Sequence, residues 1–273
     1  MTTILHVSDL HFGKPAVLAQ IDAVEAAIRT EGFDVVAISG DLSQRARSGE
    51  FQRAAVFLRE ARKHSQTICV PGNHDVAWWY APLGLGDRDR VYENYRTYIS
   101  PDLEPTLQLP DVSLVGVNTS HGITLRTLTW NMRDLSIIGD LTPDQLTTVR
   151  ERLSHTPTTT TKIVVMHHNP VAGQLSQRYG LKRTDQLLTA LSDMGVSIVL
   201  CGHDHQEAVN YVGQTRQGIV VSTAGTVSSR SRGGRPSSYN VLSVTPESIT
   251  VTVKTWSPKA QDFVSGEPQC FAR

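Results

Sequence analysis

Leu5-His6-Val7-Ser8-Asp9-Leu10-His11 ends the first apolar run of the chain with two side chains able to bind a cation. Thr3 to Val7 is rich in β-branched and apolar residues and breaks at Ser8-Asp9, so it reads as a buried strand. After Pro15, apolar residues recur at helical spacing from Val17 to Ile28 and stop near Gly32. Val35 to Ser39 is a second strand, halted by Gly40-Asp41, and Ser48 to Lys63 repeats the helical period through Phe51, Ala54, Ala55 and Leu58. Thr67 to Val70 is a third strand, closed by Pro71-Gly72. Strand, helix, strand, helix, strand is the pattern of a parallel sheet with crossover helices.

The same punctuation recurs later. Val112 to Val117 reads as a strand followed by Asn118. Ile163 to Met166 ends in His167-His168, and Ser197 to Leu200 leads to Gly202-His203-Asp204-His205. Helices are predicted from Thr142-Pro143 and over Asp185 to Met194. Residues 119–138 read as an excursion on the active-site side. Val91 to Ile99 is expected to be helical, within a 77–111 segment that gathers Trp78, Trp79, Tyr80, Tyr92, Tyr95 and Tyr98; rings docked on the core are preferred there over a stacking platform for bases. Ile219 to Thr223, Tyr239 to Val244 and Ile249 to Thr255 alternate in polarity. They are expected to be antiparallel strands, about 219–256, completing a second sheet.

In a parallel sheet all strand ends emerge at one edge, so polar residues distant in sequence meet there. Asp9, His11, Asp41, Asn73, His74, His167, His203 and His205 occupy such ends; with His168, six of the ten histidines lie at them. Carboxylate, amide oxygen and imidazole together suit Mn, Fe, Zn or Co as divalent ions, and the lack of thiolate argues against a structural zinc site. Seven ligands exceed one tetrahedral ion. Two ions roughly 3.5–4 Å apart, sharing a carboxylate, would use them and leave room for water and substrate. His6, His64, His121 and His155 lie outside these places and are read as surface or satisfied core residues.

Composition bounds the alternatives. The 273 residues, 39% hydrophobic, fit a single domain over 1–273 with a substantial core. The 26 basic and 26 acidic residues cancel, so nothing global directs the protein to nucleic acid or to a membrane surface. Cys69, Cys201 and Cys270 form no CxxC pair, and the first two sit in apolar runs as inert buried thiols. Met1 to Val7 has no basic n-region and no run approaches a spanning helix, so the expected location is the cytoplasm.

The order DxH (Asp9, His11), GD (Gly40, Asp41), GNHD (Gly72 to Asp75), HH (His167, His168) and GHxH (Gly202, His203, His205) resembles the calcineurin-like metallophosphoesterase superfamily. The resemblance runs from Ile4 to about Thr226. One such motif alone is worthless, whereas five in order, each after a predicted strand, are specific. The resemblance implies a four-layer α/β/β/α sandwich of two facing mixed β-sheets flanked by helices. It implies Asp9, His11 and His205 as ligands of one metal, Asn73, His167 and His203 of the other, and Asp41 as bridge. It makes His74 the catalytic histidine, acting on the phosphate or leaving oxygen while hydroxide held between the ions attacks phosphorus. Asp75 is a candidate to orient His74 or another imidazole. The family pattern favours His167 over His168 as ligand and leaves His168, with Asn118, as a substrate contact. Asn169 stands where many relatives have a second proline.

The expected function is a dinuclear phosphodiesterase acting on a small molecule, a cyclic nucleotide or similar. Compact length and the GNHD and HHxP forms resemble the cyclic-nucleotide and glycerophosphodiester branch. The alternatives are a repair-type DNA nuclease, a phosphomonoesterase or nucleotide-sugar pyrophosphohydrolase, and a scaffold that has lost catalysis. The nuclease reading calls for a basic groove, and the scaffold reading predicts missing ligands; none is missing. Arg230, Arg232 and Arg235 either supply cations to a substrate phosphate or form a solvated hairpin, and the same choice applies to Arg45 and Arg47. An exposed edge strand or the aromatic segment could support a homodimer.

Overall fold

The computed structural model describes residues 1–124, 126–127, 137–213 and 218–273, with the backbone alone at Arg88. Half of the predicted 119–138 excursion, residues 125 and 128–136, therefore lies outside the described residues.

Two mixed sheets face each other. In the first, β1 (Thr2–Val7), β2 (Val35–Ile38) and β3 (Gln66–Cys69) run parallel, joined by α1 (Leu18–Glu31) and α2 (Ser48–His64). The second centres on β5 (Val112–Gly116), β6 (Thr161–Val165), β7 (Val196–Cys201) and β9 (Ile219–Thr223), all parallel. It is edged by antiparallel β4 (Thr106–Gln108) and β8 (Ala208–Val212). Its helices are α5 (Pro143–Ser154) and α6 (Thr184–Asp193). Two short helices, α3 (Arg88–Val91) and α4 (Glu93–Tyr98), replace the single helix predicted over 91–99, with the break at Tyr92.

Period-two alternation sorts the side chains into layers. Leu5, Val7, Val36 and Ile38 face out to Ile21, Val24, Phe51, Phe57 and Leu58 of α1 and α2, with Tyr95 of α4. Ile4, Val35, Ala37 and Ile68 face in and meet Leu114, Ile163, Ile198 and Leu200 across the intersheet core. Val115, Val164 and Val199 complete the fourth layer against Val149, Leu153, Leu187 and Leu191 of α5 and α6. This is the four-layer sandwich expected from the resemblance.

The C-terminal strands depart from expectation. Only β9 joins the second sheet. β10 (Ser238–Val244) pairs antiparallel with β1, and β11 (Ser248–Ser257) continues the first sheet outward, followed by β12 (Asp262–Ser265) and β13 (Gln269–Ala272) on its far side. Because β1 has β2 on only one flank, its other flank offers a full row of backbone donors and acceptors, and β10 satisfies them from Thr2↔Val244 to His6↔Asn240.

The aligned register Val7↔Ile38↔Cys69 brings the β1, β2 and β3 loops out at one level. The β6 and β7 loops leave the facing sheet at the same edge. The loops continue the ladder beyond the strands: Asp9 N–H donates to Gly40 O at 3.0 Å, His11 N–H to Asp41 O at 3.0 Å and Gly202 N–H to His167 O at 2.9 Å. Among the described residues, no helix is long and apolar enough to cross a membrane.

Candidate metal centre

Asp9, His11, Asp41, His203 and His205 all adopt left-handed backbone, with φ of 56°, 46°, 53°, 71° and 55°. Asp and His are among the side chains that visit this region most readily, yet each such residue still costs roughly 1 kcal/mol or more. Five of them on converging loops turn their side chains abruptly off the strand ends into one space.

Two groups of donor atoms result. Asp9 Oδ1 lies 3.0 Å from His205 Nε2 and 3.5 Å from His11 Nε2, and the two imidazole nitrogens are 3.1 Å apart. Asn73 Oδ1 lies 3.1 Å from His167 Nε2 and 3.0 Å from His203 Nδ1. Asp41 Oδ2 stands between the groups, 3.7 Å from His11 Nε2 and 3.4 Å from His167 Nε2. All seven side chains singled out in sequence as ligands thus come together.

The carboxylates share one arrangement. Asp9 Oδ2 accepts the His203 N–H at 3.0 Å, and Asp41 Oδ1 accepts the His74 N–H at 2.8 Å. Their other oxygens, Asp9 Oδ1 and Asp41 Oδ2, are buried with no hydrogen-bond partner among the described residues. Buried anionic oxygens left this way are costly unless a cation answers them. The imidazoles are arranged to suit. Nδ1–H of His167 donates to Ser39 O at 2.8 Å and that of His205 to Arg230 O at 3.0 Å, so in the neutral tautomer each Nε2 presents a lone pair to the centre. Lone pairs of nitrogen and oxygen facing each other at 3.0–3.1 Å repel unless a positive charge lies between them. This donor set fits divalent cations of the borderline class. Burial works against charge on His167, but Asp41 beside it, together with Asp9 and the Ser39 carbonyl, outweighs burial and raises the imidazole to about 9. The centre therefore draws positive charge.

Glycines make the close approaches possible. A Cβ on Gly72 would fall 2.1 Å from Asp41 Oδ1, and one on Gly202 2.6 Å from Asp9 Oδ2.

His74 stands just outside both groups, edge-on to His11 with ring centroids 4.9 Å apart. Its Nδ1–H donates to Gln44 O at 2.8 Å, and its Nε2 accepts from Arg230 Nη1 at 3.1 Å. Burial lowers its proton affinity. Arg230 Nη1 also donates to Gln44 Oε1 at 3.0 Å. Of the three arginines weighed in its loop, Arg230 alone reaches the centre, while Arg232 and Arg235 pair with Asp204 and Glu207. Gln44 was not singled out in sequence. Its position three residues beyond Asp41 was the available signal.

Three residues take roles other than those expected. Asp75 orients no imidazole. Its Oδ2 accepts the N–H groups of Gly72 and Leu42, and its Oδ1 accepts the N–H and hydroxyl of Ser43, clasping the β2 and β3 loops. His168 is 1% exposed and packs against the His167 and His203 rings, with Nδ1 2.8 Å from Thr119 Oγ1. Asn118 donates to Tyr92 OH and accepts the Ser120 N–H. Neither lines the cleft described next. None of the four histidines outside the motifs belongs to either donor group; His6, for example, is a core residue paired with Ser39 Oγ at 2.9 Å.

A cleft of about 680 Å³ opens beside Asn73 and His74. Arg45, Arg47 and Arg230 line part of it, and Trp78, Trp79 and Tyr80 form another wall. The aromatic segment therefore divides: Tyr95 docks in the core, whereas Trp79 and Tyr80 are exposed at the cleft.

Residues 2–207 match the family model described as calcineurin-like phosphoesterase. No curated protein matches the chain in sequence. Among solved structures, a purple acid phosphatase from yellow lupin (Lupinus luteus) seeds superposes with a TM-score of 0.73 at 12% identity, covering 100% of this chain and 54% of its own. The chain thus spans about half the length of the lupin protein. GAP50, the anchor in the inner membrane complex of Plasmodium, gives a TM-score of 0.60 at 13% identity, covering 99% of this chain and 88% of its own. A single-residue variant of Vps29 from Entamoeba histolytica gives 0.51 at 13% identity and covers 99% of both chains. At these identities the likeness is one of fold.

Proposed function

The chain belongs to the calcineurin-like phosphoesterase family, and we propose that it hydrolyses small-molecule phosphodiesters, a cyclic nucleotide or a compound of similar size, with two divalent metal ions. Membership implies a phosphoric ester hydrolase that binds divalent metal; the restriction to diesters and the residue roles below are our reading.

The observation that carries this reading is the cleft itself. Its volume suits a ligand of nucleotide size. It brings an arginine, an imidazole and an aromatic wall to the rim of the donor cluster. In this assignment Asp9, His11 and His205 would hold one ion, Asn73, His167 and His203 the other, and Asp41 would serve both. Bound divalent ions supply Lewis-acid stabilisation of phosphoryl charge and acidify water at neutral pH.

The chain's own residues do the rest. Arg230 rotates from His74 Nε2 to a non-bridging phosphoryl oxygen, a charge-assisted contact that strengthens as charge develops there. His74, held by Gln44 O through Nδ1–H, is left with a free Nε2 lone pair towards the departing oxygen; there it takes up a proton from solvent and passes that proton to the leaving oxygen, returning to the neutral imidazole. Trp78 and Trp79 offer ring faces to an aromatic leaving group or base. The neutral overall charge and the bounded cleft favour a small substrate over DNA.

Comparison of hydrolysis rates for cyclic AMP, a glycerophosphodiester, p-nitrophenyl phosphate and single-stranded DNA, with Mn(II) present, tests the reading. Preference for either small diester supports it. Preference for the monoester or for DNA overturns it.

A further inference from the structure

Beyond the cleft lies a second, adjoining cavity of about 390 Å³. The two share Gln44, Arg45 and Arg47, and the second adds Lys14, Pro15 and Glu50. Lys14, Arg45 and Arg47 are exposed. Unlike Arg232 and Arg235, which have carboxylate partners, none of the three forms an ion pair among the described residues. Among the described residues Glu50 is the single acidic residue lining either cavity, and it forms no ion pair with either guanidinium group. Its Oε2 accepts the backbone N–H groups of Arg45 and Arg47, at 2.8 and 3.3 Å.

The charge count is therefore lopsided in one place on a chain whose charges balance overall. A phosphodiester carries one negative charge, which Arg230 and the metal centre already answer. Lys14, Arg45 and Arg47 are surplus to that need: Arg45 and Arg47 line both cavities, and Lys14 lines the second. We propose that this second cavity is a subsite for a further phosphate of the substrate, so that the preferred substrates are linear phosphodiesters carrying a second phosphate group. Guanidinium groups suit such a phosphate because they offer paired donors in a planar fork. A cyclic mononucleotide fills the first cavity and leaves the second without an anion. The proposal rests on the phosphodiesterase reading and narrows it.

A matched pair of chromogenic esters provides the test: the p-nitrophenyl ester of thymidine 5′-phosphate, with and without a phosphate on the 3′ oxygen. For the unaltered protein the expected KM is about tenfold lower with the extra phosphate, the scale of a few partly exposed charge pairs. In the double variant Arg45→Gln/Arg47→Gln the ratio of the two KM values should fall towards one. Equal KM values in the unaltered protein, or a ratio the double variant keeps, overturn the subsite. Failure of the metal-loaded protein to hydrolyse either ester and bis(p-nitrophenyl) phosphate would instead sink the phosphodiesterase reading. Calorimetric binding of thymidine 3′,5′-bisphosphate against thymidine 5′-phosphate then decides the subsite alone. Tighter bisphosphate binding that the double variant loses supports it, and equal binding overturns it.

Discussion

The guanidinium of Arg230 donates to His74 Nε2 across 3.1 Å, while the carbonyl of the same residue accepts Nδ1–H of His205 at 3.0 Å. One residue thus touches the proposed catalytic imidazole with its side chain and a proposed ligand with its backbone. The two functions separate by mutation. Arg230→Ala keeps the carbonyl, so metal content should be unchanged. The kcat/KM for bis(p-nitrophenyl) phosphate should fall roughly 10- to 100-fold, with partial recovery in Arg230→Lys. An Arg230→Ala protein of full activity would remove the residue from the mechanism.

His74 lies outside both donor groups, so its replacement should affect turnover and leave metal binding alone. His74→Asn is expected to lose about 10²- to 10⁴-fold in kcat while retaining the metal content of the parent. Loss of metal together with activity would make His74 a ligand, and retained turnover would refute its role altogether.

Gly72 tests the placement of Asp41. Its φ of −98° is one any residue adopts, so an alanine there brings no backbone strain. Its Cβ would nevertheless fall 2.1 Å from Asp41 Oδ1 and push the shared carboxylate aside. Gly72→Ala should therefore bind less metal, as read by elemental analysis, while its far-ultraviolet circular dichroism stays that of the parent.

Asp75 is the clasp between two loops and is 1% exposed. In Asp75→Asn one acceptor oxygen becomes an NH₂ group facing backbone or hydroxyl donors, with no room for water to relieve it. Urea unfolding should show a loss of about 2–3 kcal/mol. A change below about 0.5 kcal/mol would mean that the clasp is dispensable.

The seven ligand-type residues could be found in sequence because each follows a buried apolar run, and a parallel sheet has only one edge at which such ends meet. The four layers were implied by the family resemblance, and alternation within those same strands is how the structure sorts side chains into them. What local pattern could not reveal was the choice of partner. Tyr239 to Val244 alternates equally well for either sheet, and only the open flank of β1 decides that β10 pairs there. Asp75 was misread for a similar reason. A carboxylate beside a histidine suggests an imidazole partner, yet the donors that claim it are backbone N–H groups of Gly72, Leu42 and Ser43, which carry no side-chain signature. The choice among Arg230, Arg232 and Arg235 depended on which of them found acids nearby, and Asp204 and Glu207 are set by the fold. His168 was equally ambiguous, since an inward-facing histidine beside a ligand can look out to substrate or back to Thr119.

The central claim, that the buried donor cluster is a two-metal hydrolytic centre, is tested most directly by titrating the chelator-stripped protein with Mn(II) while following bound metal and hydrolysis of bis(p-nitrophenyl) phosphate together. Two ions bound per chain, with hydrolysis absent from the stripped protein and rising as the second ion binds, is the expected result. Hydrolysis that persists without metal, or a fully loaded protein that cleaves no phosphoester, would contradict it.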